Sequence, residues 1–271
     1  MVIAARCEVA ADQLLAAMSG ARRPGPVHCT TDIPLPPVLG ALAAAVDADT
    51  PVLCHMTPWS PQAWTDGIAR ARRSRRLPDT VAETLVHAVD AVDGHCGDEI
   101  SRADLFQLAN GDEVEFFVAV MAWGNAPSGY GWWRTARIAA LAGTEEFRAK
   151  LAGQMQAARG GAEMAWQAWT SSFKLRQLGP AFATKIAHFA GADPSSGRGP
   201  LIADDNVAWS MWAFTGVENI RTDRSAYVRY VDTLTRWANP GGRPDSLERA
   251  LFLLGPYVRS AWRTRWLTAR C

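Results

Sequence analysis

The sequence predicts an all-α fold, two packed helical blocks behind a loop-rich N-terminal part, and three observations carry that expectation. Apolar residues recur at three- and four-residue spacing, which gathers them on one face of a 3.6-residue helix. Alternating Val/Ile/Thr runs are scarce, and the nearest strand candidates, Val27–Ile33 and Pro51–Met56, are short and set among prolines. With 48% hydrophobic and 20% charged residues in 271, the chain can bury a sizeable core, which excludes a disordered or fibrous class.

Taken in order, Pro24, Pro26, Pro34, Pro36 and Pro37 make residues 1–77 read as irregular, although Ala41–Ala45 is a helix-favouring run. Amphipathic helices are expected at Asp12–Met18, Val81–Val92, Glu113–Met121, Thr135–Ala142 and Leu247–Leu254. Chain breakers then separate a first helical block, 78–160, from a second, 161–271. There is no repeat of fixed period, and no linker long enough to demand independent domains.

A net charge of +1 announces no global positive field, so any anion-binding surface must be local. Arg70-Ala71-Arg72-Arg73-Ser74-Arg75-Arg76 is such a concentration, and reads equally as a phosphate contact or as a solvated helix end. The five cysteines show no CxxC spacing, and the five histidines form neither HExxH nor HxE…CxxC. Neither a metal site nor a cofactor is expected, and a reduced, cytoplasmic setting is. No apolar run approaches the roughly eighteen residues of a membrane span, and no signal peptide is expected.

Between Phe173 and Trp212 the chain reads FKLRQLGPAFATKIAHFAGADPSSGRGPLIADDNVAWSMW. Two short helices are expected to flank a tight turn at Leu178–Ala183, whose small residues let the backbone approach a phosphate while the next helix presents its first N–H groups. This gives a grip on DNA that ignores sequence.

Here the chain resembles the helix-hairpin-helix DNA glycosylases, and within them the 8-oxoguanine DNA glycosylase-like branch. Thr184-Lys185-Ile186-Ala187 matches the Thr-Lys ending of the family hairpin, and Ile202-Ala203-Asp204-Asp205-Asn206-Val207 matches the setting of its aspartate. The separation, 204 − 185 = 19 positions, suits the family order. The family's Gly-x-Gly turn reads Ala181-Phe182-Ala183 here, so this hairpin carries Cβ atoms where glycine is usual. Met121-Ala122-Trp123-Gly124-Asn125-Ala126-Pro127-Ser128-Gly129-Tyr130-Gly131-Trp132-Trp133-Arg134-Thr135 resembles the loop with which such enzymes probe the duplex. Leu247–Phe252 looks like the branch's C-terminal helix, so that the resemblance covers roughly Glu113 to Phe252.

The resemblance implies excision of a modified base. Breaking an N-glycosidic bond builds positive charge on the deoxyribose, and Asp204, ahead of a helix start, is the expected anion. The bland alternative is an N-cap. Lys185 is the expected nucleophile on C1′, with hydrolysis by water activated by Asp204 as the alternative. Asp205 reads as a solvated neighbour.

Gly179, Ala181, Ala183 and Thr184 are the expected hairpin contacts to DNA, Arg134 and Arg137 the phosphate cations, and Asn125 or Tyr130 the wedge that fills the vacated stack. Trp123, Trp132, Trp133, Trp209 and Trp212 are expected around the flipped base, whereas Trp166, Trp169, Trp237, Trp262 and Trp266 suit core packing. The expected partner is DNA carrying a modified base, bound by a monomer. Two other readings stand beside the enzyme: a hairpin DNA-binding module without chemistry, and a helical protein unrelated to nucleic acid. The base stays open between oxidised guanine in repair and a bulky phage-type cytosine, such as glucosylated hydroxymethylcytosine, in defence.

Overall fold

The expected periodicities become helices in the computed structural model, which describes residues 2–18, 33–125, 130–238 and 241–268. In chain order these are α1 (Val2–Met18), α2 (Pro37–Asp49), α3 (Pro61–Arg73), α4 (Asp79–Cys96), α5 (Arg102–Leu108), α6 (Glu113–Asn125), α7 (Gly131–Ala142), α8 (Thr144–Arg159), α9 (Ala162–Gln167), α10 (Pro180–Gly191), α11 (Asp205–Thr215), α12 (Arg224–Trp237) and α13 (Pro244–Thr268). A single 3₁₀ turn (Val52–Cys54) follows α2, and a π-helical turn (Ala168–Ser172) extends α9. The only strands among the described residues, β1 (Met56–Pro58) and β2 (Glu99–Ser101), pair antiparallel with Thr57 opposite Ile100. The fold is all-α.

The N-terminal part differs from its loop-rich expectation. α1, α2 and α3 all lie within residues 2–73, because Pro37 and Pro61 open helices, where a fixed φ and a missing N–H cost nothing. Ser60 caps α3, its hydroxyl accepting from the Ala63 N–H at 3.2 Å. Pro24, Pro26 and most of the strand candidate Val27–Ile33 lie outside the described residues.

The chain also divides differently from the expected consecutive blocks. Met1–Val52 joins Ser195–Cys271 in one compact unit, and Leu53–Pro194 forms a second. The first is organised on α13, which packs against α1, α2, α11 and α12. At Gly255 α13 comes so near α11 that a Cβ there would stand 2.3 Å from the Asn206 carbonyl oxygen, and the Ser210 hydroxyl donates to the Leu251 carbonyl at 2.7 Å.

The second unit is built around α6. Phe116, Phe117, Val118, Ala119, Val120 and Met121 are all fully buried, so α6 is apolar on every side and wrapped by α4, α5, α7, α8 and α10. Each such large side chain contributes about 1.5–3 kcal/mol by leaving water. No helix among the described residues is long and apolar enough to cross a membrane.

Candidate active site

The hairpin turn lies a few residues earlier than expected. Leu175 to Leu178 make it, the Leu178 N–H donating to the Leu175 carbonyl at 3.3 Å and Gln177 taking a left-handed φ of 67°. Pro180 is already the first residue of α10, with Gly179 as N-cap and no side-chain cap. Ala181, Phe182 and Ala183 are therefore helical, a conformation in which Cβ atoms are welcome and glycine is not required.

This shift sorts the expected hairpin contacts. Gly179 and Ala181 are half-buried at the start of α10, where Pro180 has no N–H and the Phe182 and Ala183 N–H groups donate to the Gly179 carbonyl at 3.1 and 3.0 Å. Ala183 and Thr184 are buried, and the Thr184 hydroxyl donates back to the Pro180 carbonyl at 2.9 Å. The Thr184 side chain thus faces the protein.

Lys185 is only 7% exposed, unusual for a lysine. Its ammonium reaches the Ala181 carbonyl at 3.4 Å and lies 5.2 Å from the centre of the Phe182 ring. The Arg134 guanidinium is 5.0 Å from that same ring, and a Cβ on Gly179 would stand 3.7 Å from Arg134 Nη2. The opposite wall is Gly124, near the end of α6: a Cβ there would come within 2.6 Å of Phe182 and 3.2 Å of the Lys185 stem. Phe182 and Gly124 were not singled out from the sequence, where one is the variable residue of the hairpin and the other sits in a glycine-rich loop.

Asp204 belongs to the other unit, and polar anchors hold it. It N-caps α11, Oδ1 accepting from the Val207 N–H at 3.0 Å. The chain leading to it, Leu201–Ala203, is buried and belongs to no helix or strand. Two fully buried tyrosines of α12 secure that segment, Tyr227 donating to the Leu201 carbonyl at 2.9 Å and Tyr230 to the Ile202 carbonyl at 2.7 Å. Burial raises the Tyr227 phenol well above its ordinary pKa, so it remains a donor. Neither tyrosine was foreseen. Asp205 is exposed and paired with Arg221, as a solvated neighbour should be.

The tryptophans separate into three settings. Trp209 and Trp212 line a cavity of about 610 Å³ together with Val217, Glu218, Asn219 and Trp262. The indoles meet edge-to-face, Trp209 to Trp212 at 5.8 Å and Trp212 to Trp262 at 5.0 Å, so Trp262 lines this cavity instead of the core assigned to it. Trp132 and Trp133 line a groove in the second unit, Trp132 flat against Gly67 and Trp133 beneath Arg137 at 5.1 Å. Trp123 is buried between His55 and Phe189 and opens onto neither.

Trp166 and Trp169 pack on one another in the core at 4.5 Å, and Trp237 is buried with its N–H on the Ile33 carbonyl at 2.8 Å. The side chain of Trp266 lies outside the described residues. Of the two wedge residues, Asn125 donates to the Met121 carbonyl at 2.8 Å, and Tyr130 is 52% exposed and stacked on Trp133 at 4.9 Å. Ala126–Gly129 between them lie outside the described residues.

His95, Cys96 and Asp104 bring three potential metal donors together far from any motif spacing. Burial, then the Asp104 charge, pushes the Cys96 thiol up to about 12, and Asp104 is occupied by the Ser101 backbone N–H and hydroxyl in a capping box. The trio reads as a helix start beside a half-buried thiol.

The model of a family described as "Putative 8-oxoguanine DNA glycosylase OGG-like protein" matches residues 50–252. Neither a curated protein nor a solved structure matches the chain. That match spans α3 through the first turns of α13 and so includes both Lys185 on α10 and Asp204 ahead of α11; the chain belongs to the 8-oxoguanine DNA glycosylase-like family of the helix-hairpin-helix glycosylases.

Proposed function

We propose that the chain excises a modified base from DNA, with Lys185 as nucleophile and Asp204 as the anion that stabilises the sugar cation. The observation that carries this reading is the burial of Lys185 at 7% exposure near the start of α10. A lysine that only contacts phosphate is ordinarily exposed, whereas one that attacks C1′ must be held in place by its surroundings, as this one is. Family order and the spacing of 19 positions (204 − 185) support pairing it with Asp204.

The chemistry is then explicit. The Lys185 Nζ lone pair forms a bond to C1′, the glycosidic bond breaks with its electron pair leaving on the base, and the base takes up a proton. The Asp204 carboxylate, at the N-terminus of α11, supplies the negative charge opposite the cation that develops on the sugar. The alkylated nitrogen then gives up a proton and its lone pair expels O4′, which takes up a proton, so that the sugar opens to a Schiff base; loss of a C2′ proton from it expels the 3′ phosphate and nicks the strand.

A duplex base is out of reach of such groups, so it must be rotated out and held by stacking and edge contacts. The Trp209/Trp212/Trp262 cavity suits this role: it lies within the ~300–1,000 Å³ range of small-molecule sites and adds Glu218 and Asn219 as hydrogen-bonding groups to three indoles. Trp209 and Trp212 stand on the helix that Asp204 caps, about one to two turns along it.

The family supports an oxidised purine as the base. The test is base release from a panel of duplexes carrying 8-oxoguanine, other oxidised bases or glucosylated hydroxymethylcytosine, with abasic sites cleaved chemically afterwards. Release from the 8-oxoguanine duplex is expected. Release only from the glucosylated one would move the reading to phage defence. Binding without release from any duplex would reduce the protein to a DNA-binding module.

A further inference from the structure

The end of α3, the turn that follows it and α7 enclose a groove of about 950 Å³ that the proposed excision chemistry does not use. Arg70, Arg75 and Arg76 line one side, and Trp132, Trp133 and Arg137 the other. The sequence scattered these between a charge run and an aromatic loop; the fold puts them on one surface.

The charge is not cancelled locally. Asp79, the acid at the groove, pairs with Arg72 at 2.7 Å, and Arg72 also meets Glu83 at 2.9 Å. Arg70, Arg75, Arg76 and Arg137 have no acidic partner among the described residues. A helix C-terminus favours cations in its last turn, which accounts for Arg70, Arg72 and Arg73 without any ligand.

Arg75 is different. It lies beyond the helix end with a left-handed φ of 55°, its N–H on the Arg72 carbonyl at 2.9 Å while the Arg76 N–H reaches the Ala71 carbonyl at 3.0 Å. This is the position at which glycine closes a helix without strain. The fold asks for glycine there, and the residue present adds only charge to the groove; an outlier of this kind points to function.

We propose that this groove is a second DNA-contact surface, in which the four arginines neutralise backbone phosphates beside the aromatic wall of Trp132 and Trp133, with Tyr130 against Trp133. The aromatic wall favours nucleic acid over an acidic peptide, because sugar and base faces stack on such rings while carboxylates do not. The proposal rests on the DNA-glycosylase reading but concerns residues outside the excision chemistry.

The experiment measures thermal melting, and the affinity for an unmodified duplex across a salt series, for wild type, Arg75→Gly and the triple variant Arg70→Gln/Arg75→Gly/Arg76→Gln. Arg75→Gly is expected to melt about 1–3 °C higher than wild type, having lost its strain. It should nevertheless bind DNA about three- to tenfold more weakly, with the slope of log K against log salt smaller by about one, and the triple variant by about three. Wild-type affinity and slope in both variants would overturn the groove and leave the glycosylase reading standing. Melting below wild type would mean that Arg75 serves the fold, and overturns it equally. Polyglutamate binding to wild type as tightly as DNA, and lost in the triple variant, would assign the groove to acidic peptides instead. A wild type that binds no DNA even at low salt overturns both.

Discussion

Lys185 and Asp204 are held by opposite kinds of force. Around Lys185 packing dominates: a phenyl ring and a glycine backbone confine the stem, with the Ala181 carbonyl 3.4 Å from its nitrogen, in a unit whose centre is the buried α6. Around Asp204 they are hydrogen bonds, with a capped N–H at one end of the segment and two tyrosine hydroxyls on its carbonyls. Packing fixes a long flexible side chain by leaving it no room; hydrogen bonds fix a short one by fixing its backbone. The lysine region should therefore fail by overcrowding, and the aspartate region by losing partners.

The largest effect is expected at Asp204 itself. Asp204→Asn keeps the shape and removes the charge, so base release should fall by roughly a thousandfold or more while duplex affinity changes by less than about threefold. Asp205→Asn, at an exposed residue, should change release by less than about threefold, and equal losses in the two variants would mean that the wrong carboxylate was chosen.

Next in size is Gly124→Ala, which adds a methyl where Phe182 and Lys185 already touch. Overpacking costs about 1–3 kcal/mol, and a nucleophile displaced by an ångström loses about a hundredfold in rate. Single-turnover base release and the melting temperature should both fall, and unchanged release would separate Lys185 from the chemistry.

A smaller loss is expected from Tyr230→Phe, which strips a hydrogen bond from the Ile202 carbonyl two residues before Asp204. The lost bond and the buried carbonyl left behind cost about 1–3 kcal/mol of stability. Release should drop about tenfold through kcat with KM little changed; a pure loss of stability would confine the tyrosine to the fold. The smallest effect belongs to Arg134→Ala beside the hairpin. It should weaken modified and unmodified duplexes alike by several-fold and reduce the salt slope by about one.

Helix periodicity made the fold class legible, and the Thr184-Lys185 and Asp204 segments were legible because each is a local pattern. The rest failed for physical reasons. Prolines at 36 and 37 read as loop signals, yet a helix start is where proline is tolerated. Leu-Gly-Pro at 178–180 read as the turn itself, when the turn is Leu175–Leu178, with glutamine at its left-handed position in place of glycine or asparagine. The tyrosine anchors and the place of Trp262 beside Trp212 depend on which helices become neighbours, and a single helix's period carries no record of that.

The most direct measurement is borohydride trapping on a duplex whose base the wild type releases, with free base, strand nicking and protein–DNA adduct followed in one reaction. The account predicts release accompanied by a borohydride-stable adduct that maps to Lys185, and loss of both adduct and nicking in Lys185→Gln. Efficient release with no adduct and an intact abasic strand would contradict it, and would assign the attack to water activated by Asp204.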